Sequence, residues 1–171
     1  MNAETIKLLI QKLQLQIRIL QIHLQIVLLG QKRTVPNLDD PNKIIIHHAA
    51  GNLDFSGVNE LHKQKWGFKS SLGWYVGYTY FIEFTGKVFQ ARKETEEGAH
   101  TKGYNKQSIG ICLQGDGTQR DFTPAQYTSL KELVDRKMLE YKIPKIKLFG
   151  HQNFSQTLCP STRLLNWILN F

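Results

Sequence analysis

Six histidines, at 23, 47, 48, 62, 100 and 151, and two cysteines, at 112 and 159, are the side chains of this 171-residue sequence best suited to hold a borderline-soft metal ion or to pair as base and nucleophile. His47 and His48 close the apolar run that starts at Ile44, and His151 follows Phe149-Gly150. Cys159 stands in the segment Ser155-Gln156-Thr157-Leu158-Cys159-Pro160. Two imidazoles and one thiolate suit Zn²⁺, and three protein ligands leave the fourth tetrahedral position for water, the arrangement of a catalytic site. The same residues also permit a cysteine hydrolase with Cys159 as nucleophile and His151 as base. His47 and His48 are adjacent on an expected strand and point to opposite faces, so only one of them serves as a ligand. The spacing does not choose between them. Cys112 lies inside an apolar run and reads as a core residue. Two cysteines without framework spacing argue against a disulfide scaffold.

The elements that must carry these side chains alternate in type. Strands are expected at 44–47, at 74–84 with a hairpin through Thr85-Gly86 to 87–91, at 108–113 and at 146–149. Helices are expected at 57–66, capped by Ser56, at 124–141 behind Thr123 with Pro124 in the first turn, and at 161–170. Interleaving of this kind predicts an α/β fold, a mixed central sheet flanked by helices. Histidines at strand ends and a cysteine in a loop then converge on one rim of the sheet.

Residues 4–30 differ from the rest in being almost entirely Ile, Leu and Gln with a few basic residues. Ile6, Ile10, Leu13, Ile17, Leu20, Leu24 and Val27 follow a heptad spacing, and Leu8, Leu15, Ile19, Ile22, Ile26 and Leu29 form a second stripe. An appended coiled-coil-like helix over 1–30 is expected, for oligomerisation or docking, with a homo-oligomer formed through 4–29. The alternation of polar and apolar residues over 11–25 also suits a strand, and length favours the helix. A transmembrane span is not expected, because Lys7, Lys12, Arg18 and the glutamines interrupt the apolar run. Residues 31–42, rich in proline, asparagine and charge, read as a linker, and the main domain as 43–171. No secretory signal is evident.

The formal charge of +8 predicts attraction to polyanions: nucleic acid, an anionic membrane or an anionic wall. The chain lacks the spacings of the common nucleic-acid-binding motifs, so no nucleic acid partner is expected.

Four segments, IIIHHAAG at 44–51, GWYVGYTYFIEFTGKVFQAR at 73–92, GAHTKGYNKQSIGICLQGD at 98–116 and FGHQNFSQTLCPS at 149–161, together resemble the type-2 N-acetylmuramoyl-L-alanine amidases. That family includes phage amidase endolysins and animal peptidoglycan recognition proteins. The resemblance implies Zn²⁺ held by His47, His151 and Cys159, and a catalytic tyrosine at Tyr78. It implies hydrolysis of the lactyl–L-alanine amide of peptidoglycan at the cell wall, in a protein of bacterial or phage origin. The alternative it allows is a non-catalytic peptidoglycan-binding module of the same fold. Thr157 stands where many phage members carry lysine, as it does in catalytic recognition proteins, and joins Tyr78 as a catalytic candidate. His100, Lys102 and Asn105 of GAHTKGYN are the expected substrate contacts. Ser161, in CPS where many members have CPG, is expected to alter only the cap of the last helix.

Overall fold

The computed structural model describes residues 3–31 and 39–171. They fall into two compact units, Met1–Pro36 and Asn37–Phe171. The expected linker at 31–42 lies mostly outside the described residues.

The first unit is the helix α1 (Ala3–Gln31), in agreement with the helical reading of the heptads. Ile6, Ile10, Leu13, Ile17 and Leu20 are all exposed along it. The side chains of Leu8, Leu24, Ile26, Val27 and Leu29 lie outside the described residues. A single chain gives a helix and not a coiled coil. No described helix is long and apolar enough to cross a membrane.

The second unit is built on a five-stranded sheet in the order β3-β2-β4-β1-β5. The strands are β1 (Lys43–His48), β2 (Tyr80–Ile82), β3 (Val88–Gln90), β4 (Ser108–Leu113) and β5 (Leu148–Gly150), with helices α2 (Phe55–Trp66), α3 (Pro124–Tyr141) and α4 (Thr162–Asn170). β1 runs parallel to β4 and β5, β2 runs parallel to β4, and among these strands the β2–β3 hairpin alone is antiparallel. The sheet is therefore mixed and helix-flanked, as the sequence predicts. The two faces are unlike because β4 alternates large and small residues. Ile109, Ile111 and Leu113 join Ile44, Ile46, Leu130, Leu133 and Leu164 in the larger core. Cys112 packs instead with Phe55, Val58, Val76 and Phe81 in a smaller cluster. Strand residues alternate in direction, so Ser108 and Gly110 share the face of Cys112. That thinly filled face leaves room for the site.

Several boundaries differ from expectation. The strand expected over 74–84 forms only at Tyr80–Ile82, because the preceding backbone is claimed by other groups. The Tyr75 N–H donates to Asn59 Oδ1 and the Gly77 N–H to His62 Nδ1, both on α2. The buried Arg92 guanidinium binds the carbonyls of Val76, Glu97 and Phe68 and so fixes the same irregular segment. Helix α2 starts earlier than expected. Asp54, not Ser56, is its cap, with Oδ1 accepting from the Gly57 N–H. Thr123 caps α3 as predicted, in a reciprocal box with Gln126. The last strand is Leu148–Gly150 rather than 146–149, since Lys145–Lys147 turn into a short 3₁₀ helix first.

Ser161 corrects a further expectation. It precedes α4 but its side chain caps nothing, and its backbone sits at φ 89° and ψ 158°. Its Oγ is buried without a hydrogen-bond partner. Backbone of this kind is essentially glycine territory and costs other residues about 1–3 kcal/mol. Ser161→Gly should therefore raise stability by about 1 kcal/mol after the extra unfolded-state entropy of glycine is subtracted. In thermal unfolding that corresponds to a Tm increase of roughly 2–4 °C for a chain of this size. An unchanged or lower Tm would refute the strain.

Candidate metal centre

His47 leaves the C-terminal end of β1 on the small-residue face, opposite Cys112 in register. His151 follows β5, and Cys159 lies in the loop leading to α4. One ligand atom from each of His47, His151 and Cys159 lies within 4.8 Å of the others. The Cys159 Sγ is 3.8 Å from His47 Nδ1. Two ligands at a tetrahedral angle, with bonds of about 2.0 and 2.3 Å, lie roughly 3.5 Å apart. The donor set and its spacing therefore fit Zn²⁺.

The surroundings prepare each donor. His47 is 1% exposed, and burial, then the neighbouring His100, His151 and His48 imidazoles, hold it well below its usual pKa. Burial, then the His48 imidazole, also lowers His151. Neutral imidazoles are the form that ligates a metal. Cys159 is pushed up to about 12 by burial, opposed by the His48 backbone N–H, which donates to its Sγ at 3.3 Å. A thiol held there is a poor nucleophile at neutral pH, while a bound cation deprotonates a coordinating thiol outright.

His48 points to the other face. Its Nδ1 accepts from the Gly117 N–H at 2.9 Å and lies 3.5 Å from Asp116 Oδ1. Only His47 of the pair reaches the cluster.

Tyr78 lies just before β2, half-buried, with its ring 5.2 Å from that of His47. Burial, reinforced by Cys112 and Cys159, raises its hydroxyl pKa well above the usual value. An open cleft of about 490 Å³ runs beside the cluster, lined by Trp66, Tyr78, His100, Lys102, His151 and Ser155 among others. Lys102 is exposed at this cleft. Asn105 also borders it, but its Oδ1 accepts from the His100 and Thr101 N–H groups and so holds the loop. Thr157 Oγ1 accepts from the Cys159 N–H at 3.2 Å, orienting the cysteine loop from an exposed position.

The family model described as N-acetylmuramoyl-L-alanine amidase matches residues 37–162. The chain belongs to that amidase family. It is 31% identical to the endolysin of Escherichia phage T7 over 139 residues, covering 75% of this chain and 86% of that protein. It is 33% identical to peptidoglycan-recognition protein SC2 of Drosophila melanogaster over 129 residues, covering 72% of this chain and 70% of that protein. The solved structure of the N-acetylmuramoyl-L-alanine amidase LysC from Clostridium intestinale superposes with a TM-score of 0.68 at 30% identity, covering 80% of this chain and 89% of that one.

Sequence reasoning gathered the three donors and missed what surrounds them. It did not assign roles to Thr101, Ser108, His62 or the His48 N–H. The alternation Ser108, Gly110, Cys112 against Ile109, Ile111, Leu113 is the signal that marks the cleft face of β4.

Proposed function

We propose that this chain is a zinc-dependent N-acetylmuramoyl-L-alanine amidase that hydrolyses the amide between the muramic acid lactyl group and the first L-alanine of the peptidoglycan stem peptide. The observation that carries the proposal is the convergence of His47, His151 and Cys159 ligand atoms within 4.8 Å beside an open cleft, in a chain of this family. Zn²⁺ bound by these residues supplies a lowered pKa for water and polarisation of the scissile carbonyl.

The remaining chemistry falls to side chains. Water adds to the carbonyl carbon, the carbon–nitrogen bond breaks, and a proton goes to the leaving amine of L-alanine. Tyr78, held protonated by burial, offers a hydrogen bond to the carbonyl oxygen as its negative charge develops. Thr157 acts through the Cys159 N–H, holding the sulfur in place. Lys102 presents a positive charge at the cleft, which suits the carboxylates of a stem peptide, and the net charge of +8 suits an anionic wall as the site of action.

A binding module of the same fold would need neither the three donors nor Tyr78 beside them. A cysteine hydrolase would need one imidazole at the sulfur, and a low thiol pKa instead of one near 12. The N-terminal unit has a separate role in this proposal. With Ile6, Ile10, Leu13, Ile17 and Leu20 exposed at heptad spacing, α1 is a self-association helix joining copies of the chain.

Incubation of purified cell walls with the full chain tests the reading. New amino termini should appear, stop after removal of metal by a chelator, and return with Zn²⁺. Wall binding without release would establish the binding module instead. Light scattering on the same preparation should give a mass above that of one chain, and a monomer would remove the role given to α1.

A further inference from the structure

The cluster leaves one nitrogen of His47 to explain. Nδ1 faces Cys159, and Nε2 lies 3.1 Å from His100 Nδ1. His100 was expected to touch substrate, yet it is 8% exposed and both of its nitrogens have partners. Its Nδ1 is also 3.1 Å from Thr101 Oγ1, and its Nε2 is 3.4 Å from Ser108 Oγ. Ser108 Oγ in turn donates to the Tyr104 carbonyl, which only accepts.

These contacts can be given one direction. A His47 that ligates through Nδ1 carries its proton on Nε2 and donates it to His100 Nδ1. His100 then carries its own proton on Nε2, towards Ser108 Oγ, whose hydroxyl proton ends on the main chain at Tyr104. We infer that His100 is a positioning residue, which fixes the tautomer and ring orientation of His47 through a hydrogen-bond chain anchored by Ser108 on β4.

The fold is shaped around this ring. A side-chain carbon added at Gly110 would lie 2.6 Å from His100 ring carbons, and one added at Gly98 equally close to His100 Cδ2. Asn105 pins the same residue from the main-chain side, accepting the His100 N–H at 2.8 Å. The ring borders the cleft, but its surroundings are built to hold it in one place. A partner on the far nitrogen of a ligating histidine is the usual way to hold it, and its loss typically costs 10–100-fold in metal affinity.

The inference rests on the zinc amidase reading, and Zn²⁺ affinity, measured by competition with a chromophoric chelator, separates the two. If metal-free wild-type protein fails to take up Zn²⁺, the amidase reading falls and the role of His100 falls with it. If wild type binds, His100→Ala should bind about 10–100-fold more weakly at a temperature where the metal-free protein is still fully folded. His100→Asn places an amide oxygen near the former Nδ1 and should recover much of that affinity. Ser108→Ala, which removes only the far anchor, should cost less than His100→Ala. Wild-type affinity in His100→Ala, or a His100→Asn protein as weak as His100→Ala, would overturn the positioning role while leaving the amidase reading intact.

Discussion

Replacing Cys159 with alanine is expected to reduce cell-wall hydrolysis by about 10⁴-fold and to leave the purified protein with little Zn²⁺. Carbonyl polarisation by a metal is worth several kcal/mol, and each 1.36 kcal/mol is a factor of ten in rate. Without the sulfur, His47 and His151 are the two donors left of the three that converge. The fold should tolerate the change. Cys159 lies in a loop outside both core clusters, and the sheet beneath it is held by β1 pairing with β4 and β5. A loss of activity alone would not distinguish a ligand from a nucleophile. Cys159→Asp does, because a carboxylate ligates Zn²⁺ at about 2.0–2.2 Å yet is a far weaker nucleophile than a thiolate towards an amide carbonyl. Metal content and part of the turnover should return in Cys159→Asp. Should Cys159→Ala retain full metal content, the sulfur is no ligand and the three-donor site is wrong.

The elements were more legible than the contacts between them. The apolar run at Ile44–Ile46, the Thr123-Pro124 start of α3 and the loop cysteine were readable because each rests on local chemistry: burial, capping and the preferences of proline. The strand expected across Trp74–Tyr78 was misjudged because its aromatic, β-branched composition is a strand's, while its hydrogen bonds go to Asn59 and His62 on α2 and to Arg92. Those partners are 15 or 16 residues away in sequence, beyond the reach of any local pattern. Ser161 was misjudged differently: serine is a good cap in isolation, and only the φ of 89° shows that this cap position suits glycine. For the site, residue types pointed to the three donors, but the choice of His47 over His48 came from the family resemblance alone. In the structure, β1 alternation turns His47 to the small-residue face with Cys112 and turns His48 towards Gly117 and Asp116. The sequence placed His100 among the substrate contacts; the positioning role inferred for it depends on which nitrogen of His47 faces Cys159, which no local pattern reveals.

Tyr78→Phe is expected to lower kcat by about 10²–10³-fold, with Zn²⁺ affinity and KM nearly unchanged. That is the cost typical of removing one hydrogen-bond donor from a developing oxyanion. The change deletes a single oxygen. The ring keeps its contacts with His47 at 5.2 Å and His62 at 5.7 Å, so neither His47 nor α2 should move. An effect on kcat without one on KM is the signature of an interaction made only in the transition state. The hydroxyl is suited to donate rather than to act as a base, because burial first, and then Cys112 and Cys159, keep its proton on well above the usual value. Below that raised pKa the donor form persists, so the wild-type rate should show no tyrosine-linked fall as pH rises through 8 and 9, and the ratio of wild-type to Tyr78→Phe rates should stay constant across that range. A ratio that shrinks towards one with rising pH would mean that the tyrosine loses its proton there, and full activity in Tyr78→Phe would assign the aromatic ring a packing role only.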